Sequence, residues 1–170
     1  MPQTLETMNR NDVRSAQMGS DALPTRRGQR PKTIRGPLHI QCNGDLKYLN
    51  QLVHEVLTWP YIESAEPLVS RSNTIPIRLM EIATSSDPSA FITDREFARV
   101  LLGAPTIYLV LPLLCAHRAI VRGWAEPHYL GSQGLMPAGT VVVYTPKDVE
   151  ELAVCFVLFS ESYHLGRKLD

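Results

Sequence analysis

Apolar residues recur at helical spacing over Leu46, Leu49, Leu52, Val53, Val56 and Leu57, and they predict an amphipathic helix of about three turns. Asn43-Gly44-Asp45 reads as the turn and helix start before it, and Trp59-Pro60 ends it, because a residue before proline is pushed out of the α region. Residues 67–69 and 74–82 read as strands on either side of a turn at 71–73. Pro76 cannot donate to a ladder, which predicts an edge strand or a strand start. Residues 96–102 and 106–111, joined by Gly103-Ala104-Pro105, predict a hairpin. Pro112 suits the first turn of a helix whose buried stripe is expected to be Leu113, Leu114, His117, Ile120 and Val121, with Gly123 as its left-handed stop.

After a Gly-rich loop over 131–139, which could move and cover a pocket, the β-branched run at 140–144 predicts a buried strand. The last helix is expected to start with Thr145 as N-cap, Pro146 in the first helical position and Asp148 completing a capping box. Its core face is read as Val149, Leu152, Ala153, Phe156, Val157 and Tyr163, widened by Val154, Leu158 and Phe159. That width calls for a second packed layer or a homodimer contact. These elements together predict an α+β fold, a small mostly antiparallel β-sheet packed with helices.

At 170 residues the chain suits one domain, read here as 37–170, behind a disordered basic tail at 1–36. The tail holds few large apolar groups, so ordering it recovers little burial energy, and it is expected to be dispensable for folding. Its cluster from Arg26 to Lys32 reads as a solvated face, with an anionic partner as the other reading. Lysine plus arginine number 17, as do aspartate plus glutamate, so no global field recruits nucleic acid. No apolar run reaches the roughly 18 residues of a membrane span, and the first 20 residues do not read as a secretory signal. Cys42, Cys115 and Cys155 are widely spaced, which fits reduced thiols and a cytoplasmic location.

The stretch Gly123-Trp124-Ala125-Glu126-Pro127-His128 crowds an indole, a carboxylate and an imidazole into one extended segment. With Leu57-Thr58-Trp59-Pro60, Glu96-Phe97-Ala98-Arg99-Val100 and Val143-Tyr144-Thr145-Pro146-Lys147, it resembles the luciferase domain, a family of small, mostly uncharacterised bacterial and fungal proteins. The resemblance covers roughly residues 46–165 and does not imply light emission. The family's pattern carries a histidine shortly after the Ala-Arg-Val strand and another in the next strand. Here those positions correspond to Leu101 and Tyr108, and of the three histidines only His128 remains. If the family site is a histidine cluster, for metal or proton transfer, it is dismantled here, and no metal is expected.

In an extended segment Glu126 and His128 point to one face, together with Trp124. A carboxylate beside an imidazole raises the imidazole pKa, so Glu126 and His128 are the expected acid and base. Trp124, Arg99 and Tyr108 are the expected substrate-binding residues, the indole as a wall and the other two orienting or polarising a carbonyl. The purely structural alternative packs Trp124 in the core, pairs Glu126 with Arg122 and gives His128 a backbone carbonyl.

No Gly-rich phosphate loop, GxSxG elbow or HExxH is present, and no cofactor is expected. The expected function is therefore cofactor-independent acid–base chemistry, such as cyclisation or isomerisation, on a small apolar metabolite, as in a secondary-metabolite pathway. The alternative is a non-catalytic module that binds a small molecule or another protein.

Overall fold

The structure is a computed structural model that describes residues 22–63 and 73–168. In chain order the elements are β1 (Thr33–Ile34), β2 (Ile40–Gln41), α1 (Leu46–Val56), β3 (Thr74–Arg78), β4 (Glu96–Leu101), β5 (Thr106–Val110), α2 (Leu113–Val121), β6 (Ala125–Pro127), α3 (Tyr129–Ser132), β7 (Thr140–Val143) and α4 (Val149–Gly166). Short 3-10 turns at Glu81–Ala83 and Pro88–Ala90 link β3 to β4. Five strands form one antiparallel sheet in the order β3-β4-β5-β7-β6, and β1 pairs with β2 in a separate small hairpin. This is the α+β architecture that the sequence predicts.

Strand alternation gives the large sheet two different faces. Ala98, Val100, Ile107, Leu109, Val141 and Val143 belong to the main apolar core. On that side α4 lies against β4 and β5, and α1 packs on α4. Ser162 fixes the contact by donating its hydroxyl to the carbonyls of Phe97 (3.0 Å) and Val110 (2.7 Å). The apolar width of α4 is thus used within the chain, between the sheet and α1. The opposite face carries a smaller cluster around Leu101, Tyr108, Val110 and Val142.

Several expectations hold. Pro76 stands on β3, an edge strand. Gly123 has φ +85 and ends α2 in the left-handed region. The hairpin of β4 and β5 pairs in register, Arg99 opposite Tyr108. The strand read at 67–69 and the first two residues of the turn at 71–73 lie outside the described residues.

Three expectations are corrected. First, α2 buries Cys115, Ala116 and Ala119, while Leu113, Leu114 and Val121 face outward at 60–67% exposure. Both stripes have helical spacing, and small side chains let the helix lie close along β6, so the inward face is the less hydrophobic one by composition. Second, α4 starts at Asp148, whose carboxylate accepts from the Glu151 amide at 2.8 Å. Thr145 is not the cap, because its amide is taken by Gln41 (2.7 Å) and its hydroxyl donates to the Pro105 carbonyl (2.9 Å). Val149 is consequently exposed rather than part of the core.

Third, the tail boundary lies elsewhere. Residues 1–21 lie outside the described residues, but 22–36 form a strap along the domain. Leu23 is buried in the main core, the Trp124 indole N–H donates to the Pro24 carbonyl (2.6 Å), and Arg26 pairs with buried Glu151 (3.1 Å). Polar, cationic residues are held here by specific bonds rather than by apolar burial, which a reading of composition does not register. The domain therefore cannot lose its first 34 residues without losing these contacts.

Candidate functional site

The register of the large sheet sets Arg99, Tyr108, Val142 and Glu126 side by side across β4, β5, β7 and β6. All four side chains stand on the face away from α1 and α4. His128 follows two residues after Glu126 and extends the same face, its amide bonded to the Thr140 carbonyl at 3.0 Å. Gly139 lets the chain before β7 lie close to the end of β5, since a Cβ there would sit 2.1 Å from the Leu111 carbonyl oxygen. Residues that lie far apart in sequence are thus assembled by strand pairing alone.

The strap and the β1–β2 hairpin cover this face. Glu126 accepts from Thr33 (2.6 Å), from Tyr144 (3.0 Å) and from the His39 ring, and Arg35 adds a cation at 3.8 Å. Burial pushes the Glu126 carboxyl upward, but the hydrogen bonds from Thr33, Tyr144 and His39 outweigh it and hold the group below its ordinary range. Tyr144 is pushed up to about 12 by burial and by the Glu126 charge, so it stays a donor.

The histidine that pairs with Glu126 is therefore His39, not His128. His39 is fully buried on the covering hairpin, and its ring lies 5.5 Å from that of His128. Its Nδ1 accepts from the Tyr129 amide (3.0 Å), so the proton sits on Nε2 and is donated to Glu126. The next amide, that of Leu130, donates to His128 Nδ1 (3.1 Å). Two successive backbone N–H groups thus orient both imidazoles with Nδ1 as the acceptor.

His128 differs from expectation in charge as well as in partner. It has no exposed surface, and burial, with the nearby His39 and Arg99, lowers its pKa to about 4. It is a neutral ring whose Nε2–H has no partner. Tyr108 stacks edge-on against it at 4.4 Å, is pushed up to about 12 chiefly by burial, and also leaves its buried hydroxyl without a full hydrogen bond. The backbone of His39 lies within electrostatic reach of that hydroxyl without completing one. The Thr140 hydroxyl is the third such atom on this face. Three buried donors without acceptors on neighbouring residues are a costly arrangement, since each unmade bond forfeits about 1–3 kcal/mol.

The remaining expected residues divide. Arg99 is held by Glu96 at 2.9 Å, and it faces Tyr108 as a fixed positive charge. Trp124 is buried under the strap, a wall between core and cover rather than an open stacking platform. The structural pairing of Glu126 with Arg122 does not form, as Arg122 donates instead to Thr25 at 3.2 Å. Leu101, at the first of the two lost histidine positions, shares the small apolar cluster with Tyr108.

His39, Thr33 and Tyr144 escape the sequence reading. The one signal for His39 is the alternation of Leu38, His39, Ile40 and Gln41, a short strand pattern next to a proline. A solvent-open depression lined by Glu81, Thr84, Asp94 and Arg95 contains none of these residues. Its lining is charged and lacks the buried, unpartnered donors of the His128 face.

Comparison with known proteins bears out the family resemblance. Residues 94–162 match the family model of the Luciferase domain, a span that begins before β4 and ends within α4. It takes in Arg99, Tyr108, Glu126, His128 and Tyr144 but not His39 or the strap. No curated protein and no solved structure matches the chain.

Proposed function

We propose that this luciferase-domain chain is a cofactor-independent enzyme that performs acid–base chemistry on a small apolar metabolite, as in a secondary-metabolite pathway. The observation that carries the reading is the pair of buried, unpartnered donors on His128 and Tyr108. A substrate carbonyl oxygen supplies the acceptor that both lack. Neutral imidazole and phenol are the appropriate electrophiles, because neither gives up a full charge to the site while it polarises the carbonyl. Arg99 adds positive potential beside them.

Glu126 is the base in this scheme. It is ionised, and on leaving its His39 bond it takes a proton from the carbon next to the carbonyl, giving an enolate whose oxygen is held by hydrogen bonds from Tyr108 and His128. Return of the proton from Glu126 to a different carbon isomerises the substrate; attack by the enolate on an internal carbonyl carbon closes a ring, and the Glu126 proton passes to the alkoxide so formed. No metal or cofactor enters the scheme. Elemental analysis of protein purified without added metal is expected to find less than one equivalent, and one equivalent lost on His128→Ala would overturn that part.

The test is the metabolite profile of the organism that carries the gene, with single substitutions at the natural locus. Tyr108→Phe and Glu126→Gln are each expected to lower one product on the order of 10²-fold, the range of a general acid or base, at unchanged protein level. An unchanged profile for both variants overturns the proposal.

A second reading is favoured by a separate observation. The outward stripe of Leu113, Leu114 and Val121 on α2 is an apolar surface of the kind used to dock another protein. It replaces α4 as the candidate face for a homodimer or other partner. Under that reading Leu114→Asp, rather than the site variants, changes the profile.

A further inference from the structure

His128 and Tyr108 are sealed, at 0% and 1% exposure, so any ligand that meets them needs a way in. The cover above them is unevenly fixed. At its first end, the strap is held by the Arg26 amide on the Arg122 carbonyl (2.8 Å), by Arg30 on the Ile120 carbonyl (2.8 Å) and by the buried Arg26–Glu151 pair. At its other end, the Gln41 amide donates to Thr106 (2.8 Å) and the Gln41 side chain accepts from Thr145.

Between these anchors stands a hairpin with only two paired residues on each strand, Thr33 opposite Gln41 and Ile34 opposite Ile40. A two-stranded hairpin of that size has little stability of its own. Its apolar side chains hold it only lightly: Ile40 packs partly buried against the small cluster below, while Ile34 and Leu38 point outward at 57% and 64% exposure. The downward contacts of its side chains at Thr33, Arg35 and His39 converge on one carboxylate, Glu126, and His39 also accepts from the Tyr129 amide.

We propose that the β1–β2 hairpin is a flap, and that in the closed protein its His39 ring holds the place which a hydroxyl of the ligand takes when the flap lifts. His39 gives a proton to Glu126 and accepts one from a backbone amide, and a hydroxyl does both with one atom. Beneath it lie the two unpartnered donors, which ask for a carbonyl. The ligand class is therefore an apolar molecule carrying a hydroxyl and a carbonyl close together. The opening of the flap stands independently of the proposed chemistry; the hydroxyl assignment rests on that reading of the site.

Two measurements test it, neither of which uses turnover. The first is hydrogen exchange on the unmodified full chain. The amides of Cys42 and Tyr129, bonded to the Lys32 carbonyl and to the His39 ring, are expected to exchange through a local opening, on the order of 10²-fold faster than those of Leu109 and Val142 in the sheet. Exchange of all four only through global unfolding overturns the flap. The second is binding to His39→Ala, followed by ligand-detected NMR, with phenol and toluene as probes. A hydrogen bond to the Glu126 carboxylate favours phenol by at least about 10-fold, a preference expected to vanish when Glu126→Gln is added. Equal affinity for the two probes, or a folded variant that binds neither, overturns the ligand assignment. If His39→Ala does not fold, His39 is a core residue rather than a plug, and the assignment fails on that result too.

Discussion

The two faces of the large sheet are closed in opposite ways. On one side α4 and α1 bury a continuous apolar core, with Phe97, Leu109, Leu158 and Phe159 removed from solvent. On the other, a strap and a two-stranded hairpin are held by bonds to Glu126, by the Arg26–Glu151 pair and by one indole N–H. Apolar burial is cooperative and has no single weak point, because every atom removed costs a little. A hairpin whose side-chain bonds converge on one carboxylate can be released at that carboxylate. The face built for stability and the face able to exchange its contents are thus back to back on the same strands.

Breaking the apolar face is expected to have the largest effect. Phe159→Ala should cost about 3–5 kcal/mol, the range for truncating a fully buried aromatic ring. Denaturant melts check this, and a cost below about 1 kcal/mol would mean that α4 is not the foundation described here.

The polar face should reveal itself through pH. His128 has a folded pKa of about 4 against 6.5 in the unfolded chain, so both states are neutral above pH 6.5 and no term arises there. As pH falls below 6.5 the unfolded state takes up the proton first, and the folded state loses stability until about pH 4. The loss between pH 7.5 and pH 5 amounts to about 2 kcal/mol. Glu126, whose carboxyl is lowered, contributes stability above the unfolded carboxylate pKa that is lost as pH falls through its folded value, a lower window. His128→Gln should flatten the upper window and leave the lower one. Melts across this range that show the same slope in both proteins would place the titration elsewhere.

The smallest effect on stability is expected at Tyr108. Its hydroxyl has no acceptor, so Tyr108→Phe removes an unmet donor and should leave the midpoint unchanged or raise stability by about 1 kcal/mol. The same substitution is expected to lower product formation on the order of 10²-fold, which sharpens the contrast between a group kept for folding and one kept for a ligand. A clear destabilisation would show that the hydroxyl has a partner in solution.

The sequence by itself determined the local elements and one side of the site. Helical and alternating periodicities, Pro76 on an edge strand and Gly123 at a left-handed stop are near-neighbour effects, and all were legible. So was the cluster at Glu126 and His128, because two residues of extended chain suffice to put both on one face. Which histidine serves Glu126 was not legible, since His39 lies 87 residues away and reaches it only through the hairpin. Nor was the inward face of α2, where two stripes compete and only the sheet beneath decides. The charge state of His128 likewise came from tertiary structure. A carboxylate two residues away argues for a raised pKa, yet full burial, with Arg99 nearby, lowers the value, because desolvation depends on what the chain packs there and not on its neighbours in sequence.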